Sequence, residues 1–278
     1  MFHSITQLKG SKVTASDGDI GKVEDTYFDD DNWAIRYLVV DAGSWLNDRK
    51  VLLSPYAVRQ PVGGEPHIHV TLTRDQVRRS PPVDTQLPVS RQQERALLRY
   101  HAYPEYWDGG GLWGMGALPY PPMTNAELET AGPPPPSAQT HDGSQPGGDD
   151  VHLRSSSHLM GYDIQATDDS IGEVQDFIFD DESWAIRYLV VDTRKWWPGG
   201  RKVLIGTHWI DRIDWATRSL HVDMTRDAVK ESPEYEDLSS IARPYEERLH
   251  QQANQPGYWL SGQAALPHTI SAERYDAL

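Results

Sequence analysis

Asp29, Asp30 and Asp31 stand in a row, and Asp180, Asp181 and Glu182 form a similar run in the second half of the chain. Clustered carboxylates can hold Ca²⁺ or Mg²⁺, which take oxygen ligands. Neither run has the D-x-D-x-D-G spacing or the glycine of a tight calcium loop. Each reads instead as a hairpin turn, because Asp and Asn side chains bond to nearby backbone. His67 and His69 are two apart, on one face of a strand, where imidazoles could chelate Zn²⁺. No further ligand motif adjoins them, and Ser219 stands where His67 would recur, so they read as a solvated pair. Arg36 and Arg187 lie inside apolar strands and need a carboxylate or carbonyl partner. The expected structural ion pairs are Arg36 with Asp25 and Arg187 with Asp176, on the adjoining strands.

The remaining chemistry-bearing residues are aromatic. Trp45, Trp196 and Trp197 precede the two RKVL segments, and Tyr106-Trp107 and Tyr258-Trp259 end two arms. Trp and Tyr serve as anchors at interfaces. These seven residues form the expected interaction surface, and the alternative is that each arm folds back and plugs its own barrel. No Ser/His/Asp order, Walker loop or dinucleotide fingerprint is present. GGGLWGMG, from Gly109, follows no strand and precedes no Lys-bearing helix, so it reads as linker. The chain has no cysteine, which excludes disulfides, thiolate metal sites and thiol nucleophiles. No enzyme activity, cofactor or metal is expected.

The elements that must position these residues are duplicated. WAIRYLVVD runs from Trp33 to Asp41 and again from Trp184 to Asp192. Around it Leu8 aligns with Leu159, Gly21 with Gly172, Phe28 with Phe179 and Asp29 with Asp180. After one inserted residue, Arg49 aligns with Arg201, Thr73 with Thr225, Glu94 with Glu246 and Trp107 with Trp259. A repeat of about a hundred residues fits tandem domains. KVTA, the long alternating GKVEDTYFD, IRYLVVD and KVLL read as strands. WIDRID and LHVDM form a hairpin in the second unit, with PVGGEP as the matching turn of the first. TRDQVRRSPP has a Thr N-cap and a proline stop, so it is a short helix. IRYLVVD is apolar on both faces and is expected to be covered on both. The division is 1–107 for the first unit with its aromatic arm, 108–150 for a Gly/Pro-rich linker, 151–259 for the second unit, and 260–278 for a tail.

The net charge of −15 argues against direct nucleic-acid binding, which rewards clustered Lys and Arg. The first residues lack a secretory-signal pattern, and no apolar run approaches the roughly 20 residues of a membrane span. The expectation is an acidic cytoplasmic protein without a membrane anchor.

The order "DG.IGKV.D..FD...W.IRYLVVD", then a Trp-rich loop, "RKVLL" and "V.LTRD.V..SP", resembles the PRC-barrel family. That family is named from the cytoplasmic domain of the photosynthetic reaction-centre H subunit. It also includes a domain of a ribosome-maturation factor and stand-alone bacterial proteins. The resemblance covers Leu8 to about Val83 and Leu159 to about Tyr235. It implies a mainly β chain with two tandem small barrels, each followed by a short helix, used as protein-contact modules without catalysis. The expected function is a bacterial protein-interaction scaffold whose two barrels pair as an intramolecular pseudo-dimer and bind another protein. The alternatives are a ribosome- or RNA-processing-associated assembly factor and a metal- or small-ligand-binding protein. Each half is expected to wrap its own core.

Overall fold

A computed structural model describes residues 1–59, 67–82, 89–119, 153–196 and 198–260. The PVGGEP turn, Trp197, most of the expected linker and nearly all of the tail fall outside these residues. Among the described residues, no helix is long and apolar enough to cross a membrane.

Each half is a sheet built on one long strand. In the first, β2 (Lys12–Ala15), β3 (Gly18–Asp29), β4 (Ala34–Asp41) and β5 (Lys50–Leu53) pair in antiparallel succession, and β6 (His67–His69) adds in parallel to β2. In the second, β8 (Asp163–Gln165), β9 (Ser170–Asp180), β10 (Ile186–Asp192) and β11 (Lys202–Gly206) repeat the order. The hairpin of β12 (Ile210–Asp214) and β13 (Ser219–Val222) joins in parallel through β13. In the first half a short 3-10 turn, Pro55–Ala57, swings the chain leaving β5 across to the far edge. There Arg59 N–H donates to the His69 carbonyl at 2.8 Å, curling the sheet on itself.

β3 runs for 12 residues because it serves two neighbours on one side. Its first half pairs with β2. Its last residues, Tyr27 to Asp29, pair with β7 (Leu153–Ser155), the opening strand of the second half. Reciprocally, β1 (Phe2–Ser4) pairs with Ile178 to Asp180 at the end of β9. Each half therefore lends its first strand to the other, about a pseudo-twofold axis. Ala34 and Ala185 form an antiparallel bridge there, Ile35 N–H donates to the Trp184 carbonyl at 2.9 Å, and Ile186 N–H donates to the Trp33 carbonyl at 2.7 Å.

The duplicated nine residues start at this crossing. Trp33 and Trp184 both hold left-handed backbone, with φ of 50° and 59°. A bulky residue pays for that conformation in strain of about 1–3 kcal/mol, so it persists only where the surroundings impose it. Here each indole stacks on a phenylalanine of its own unit, Trp33 on Phe28 at 5.3 Å and Trp184 on Phe179 at 5.4 Å. Alanine follows because two backbones meet at that point.

The expectation of two separate cores is overturned. Phe28 and Phe177 meet across the seam with ring centroids 6.1 Å apart. One continuous set of buried apolar residues runs from Ile5 and Val13 through Phe28 to Phe177, Tyr188 and Leu249. The strand exchange explains this: sheets sharing strands leave no polar layer between their interiors. A smaller cluster on the outer face of the first sheet joins Tyr37, Val39 and Leu52 to Leu97 and Leu153.

The helices come in matched sets. α1 (Ile5–Leu8) and α4 (Ser156–Leu159) follow the exchanged strands. α2 (Arg74–Arg79) and α5 (Arg226–Glu231) are the short Thr-capped helices. Each half also has a ten-residue helix that the repeat alone did not disclose, α3 (Arg91–Tyr100) and α6 (Arg243–Gln252). Ser90 and Gln93 form a reciprocal capping box on α3, which satisfies two of its free N–H groups.

Candidate functional site

Two bulges set the geometry of the polar groups. Between Val23 and Asp25 the β3–β4 register slips by one residue, and between Tyr27 and Phe28 it slips again, so that Arg36 is the extra residue of β4. β9 and β10 repeat both slips, and the second leaves out Arg187. A bulge breaks alternation and re-aims side chains. Ile35 consequently faces the same core as Leu38 and Val40, while Tyr37 and Val39 face outward.

The expected ion pairs are corrected for the same reason. Arg36 bonds Asp29, not Asp25, at 2.9 Å, and both side chains are almost fully buried. Arg187 lies 3.6 Å from Asp180, not Asp176. Asp25 and Asp176 instead reach across the seam. Asp25 accepts from Ser155 Oγ at 2.6 Å, Ser156 Oγ at 3.0 Å, and Ser157 N and Oγ at 3.2 and 2.8 Å, holding the start of α4. Asp176 accepts from Ser4 Oγ at 2.5 Å and Thr6 N at 3.0 Å, holding the start of α1.

Between α1 and α4 lies a groove of about 340 Å³. Val23 and Val174 line it together with Ile5 and Thr6 from one half and Ser156 and Met160 from the other. Four of these six are equivalent residues of the two units: Ile5 with Ser156, and Val23 with Val174. The groove therefore lies on the pseudo-twofold axis and exists only because the units are joined. Asp25 stands in its wall, and the exposed Lys9 supplies a cation at its rim.

The acidic turns are self-satisfied. Carboxylate oxygens of Asp29, Asp30 and Asp31 lie within 4.8 Å of one another. However, Asp29 accepts from the backbone of Asp31 and Asn32, from the Asn32 amide and from Arg36. Asp30 bonds Arg154 Nε of the exchanged strand at 2.8 Å. Burial raises the Asp30 carboxyl to about 6, with Arg154 opposing the shift. In the second unit Asp180 accepts from Glu182 N and Ser183 Oγ, and Asp181 bonds His3. His67 and His69 stack on one face at 5.5 Å, and among the described residues they join no group of three possible metal ligands.

The aromatic residues turn inward. Tyr106 is 4% exposed and is not a free anchor. Its ring covers the Arg36 guanidinium at 3.9 Å, and its hydroxyl donates to the buried Glu94 at 2.5 Å. Tyr258 repeats the arrangement, 4.3 Å over Arg187 and bonding Glu246 at 2.9 Å. Trp107 and Trp259 lie half-buried under Arg91 and Arg243. Trp45 and Trp196 are half-buried, their indoles donating to the Ile20 carbonyl at 2.5 Å and to Ser170 Oγ at 2.9 Å. Each arm thus covers its own unit. Trp197 lies outside the described residues.

The Gly-rich stretch read as linker is packed at its start. Gly111 N donates to the Gly114 carbonyl at 2.7 Å, and Trp113 N to the Gly116 carbonyl at 2.8 Å. Gly114 has φ of 76°, and a side chain on Gly111 would strike the Gly116 carbonyl oxygen at 2.6 Å. Only glycine allows so tight a knot. It drives Leu112 and Trp113 into the protein, 4% and 3% exposed. The Leu112 carbonyl accepts from Arg36 at 2.6 Å, and the Trp113 indole donates to the Ser183 carbonyl of the other half at 2.7 Å.

Two curled sheets with equivalent strand order, fused through exchanged strands, define a tandem small-barrel protein. The sequence profile of the PRC-barrel domain matches residues 1–77 and 153–229. The chain belongs to the PRC-barrel family and carries two copies of its domain. Both matches end before α3 and α6, so the family match does not extend over the long helices and aromatic arms. No curated protein matches the chain.

Proposed function

We infer that the chain is a non-catalytic protein-interaction scaffold. The observation that carries this reading is the groove on the pseudo-twofold axis, which two fused PRC-barrel copies build jointly. Its floor is apolar, its walls carry hydroxyls, and Asp25 and Lys9 offer charges of both signs, a mixture suited to a peptide segment or helix of another protein. The net charge of −15 supports a protein partner over nucleic acid, and cytoplasmic residence belongs to the same reading. Thr6 is exposed and bonds Asp176 only through its backbone, so Thr6→Trp fills the groove without removing a cap. The test is affinity capture with full-length protein and with Thr6→Trp of equal thermal stability. A partner that binds the first and is lost from the second supports the reading. A partner set unchanged by the substitution refutes it.

A further inference from the structure

The axial groove has the shape of a twofold but not its chemistry. Lys9 and Met160 are equivalent residues just past the ends of α1 and α4, and both line the groove on opposite sides of the axis. Lys9 puts an exposed ammonium at the rim, whereas the half-buried Met160 packs its thioether against the core. Matching residues at these two positions would let a ligand bind equally well in either of two orientations related by the axis. The difference between them removes that degeneracy and gives the groove a charged end and an apolar end.

The carboxylates nearby are already engaged. Asp25 accepts from the three serines at the start of α4 and from Thr26 N at 2.9 Å. Asp176 accepts from Ser4, Thr6 and Phe177 N, the last at 2.8 Å. Glu24 bonds Lys50 at 2.8 Å. By contrast, among the described residues the Lys9 ammonium and the Thr6 hydroxyl make no hydrogen bond or ion pair. Lys9 is therefore the charge that the groove offers to a ligand. The volume of about 340 Å³ is at the small end of binding pockets, which run from about 300 to 1,000 Å³, so it takes a few side chains and not a long helix.

We propose that the groove binds a short segment of a partner protein in which a large apolar residue adjoins a carboxylate side chain. The apolar side chain lies over Val23 and Val174 beside Met160, where its burial removes apolar area from water. The carboxylate pairs with Lys9, and the Thr6 hydroxyl bonds the backbone of the segment. A rim charge of this kind sets orientation and partner choice more than affinity. The proposal rests on the reading of the groove as an interaction site and adds the chemistry of its occupant.

The probes are acetylated and amidated hexapeptides Gly-Ser-X-Z-Ser-Gly, with X as Leu, Met, Phe or Ala and Z as Glu, Gln or Lys, together with the set in which X and Z change places. Each is titrated into the isotope-labelled full chain, following amide chemical shifts, and binding lost in Thr6→Trp is counted as groove binding. The expected result is groove binding by Leu, Met or Phe peptides that carry Glu, about two- to fivefold tighter than with Gln and weakest with Lys. Alanine in place of the large residue abolishes it. Lys9→Met is expected to level the Glu and Gln peptides, and Lys9→Glu to favour Lys. Both variants keep the fold, since the Lys9 side chain is exposed and unbonded. Absence of groove binding overturns the proposal, as does groove binding without a preference for Glu or a preference that survives in Lys9→Met. Each of these results leaves the groove reading itself to the capture experiment, whose outcome does not depend on the charge of the partner.

Discussion

The two halves of this chain agree most closely where their strands cross and less closely over their outer walls. At the seam, left-handed tryptophans, bridging alanines, exchanged strands and capping aspartates recur in equivalent places. Away from it, Tyr56, Ala57 and Leu98 of the first unit become His208, Trp209 and His250 of the second. The contrast shows that mutual packing constrains a duplicated sequence most where each copy is the other's environment. The outer walls answer to no such partner and are free to diverge.

The largest effect should come from the shared feature. Trp33→Ala and Trp184→Ala each remove a stacked, buried indole at the crossing, and each should cost about 3–5 kcal/mol in denaturant unfolding. Values that agree closely support the twofold equivalence; a large inequality breaks it. The arginines should then separate the halves. Arg36→Met leaves Asp29 buried without its cation and should cost about 3–5 kcal/mol, while Arg187→Met, beside a better-solvated Asp180, should cost roughly 1 kcal/mol. Equal losses would show that burial does not distinguish the two sites.

The capping aspartates offer a finer comparison. Asp25→Ala removes the acceptor for three consecutive serines and should destabilise by about 1–2 kcal/mol; Asp176→Ala, with fewer donors, should cost less. The smallest effect is pH dependence. Burial lowers the His250 pKa below its ordinary 6.5, and pushes His101 down to about 4. The unfolded chain then binds more protons below 6.5, so these groups stabilise the fold above that pH and withdraw stability as pH falls. Asp30 acts oppositely. Its pKa is raised from 3.8 to about 6, so its contribution is greatest below 3.8 and is lost as pH rises through 6. Stability measured across pH 3 to 7 should lose part of its acid limb in His250→Leu and gain relative stability near neutrality in Asp30→Asn.

Much of the fold was legible because duplication and alternation are written directly in residue order. The doubled WAIRYLVVD marked the central strand, and the length of GKVEDTYFD hinted at an unusual role. The ion pairs were misassigned because a bulge inserts a residue without any compositional mark, so the sequence could not tell which carboxylate of the adjoining strand, Asp25 or Asp29, comes to face Arg36. The merged core was invisible for a different reason: no local pattern states which sheet a strand joins. α3 could have been found, since Ser90 followed by Gln93 three residues later is a capping-box signature ahead of Ala96, Leu97 and Leu98. The packed knot from Gly111 to Gly116 was hidden by its glycines, which signal a loop in composition even when they permit a buried turn. Leu112 and Trp113 among them were the available clue.

The exchanged strands also impose an order on birth. Tyr27 to Asp29 find their neighbour only when Leu153 to Ser155 have left the ribosome. At ordinary translation speeds of about 5–20 residues per second, the first half waits roughly 6–25 s with an open strand edge. During that interval the nascent chain presents the kind of unpaired backbone that other polypeptides can capture. Its safe passage depends on how quickly the second half arrives.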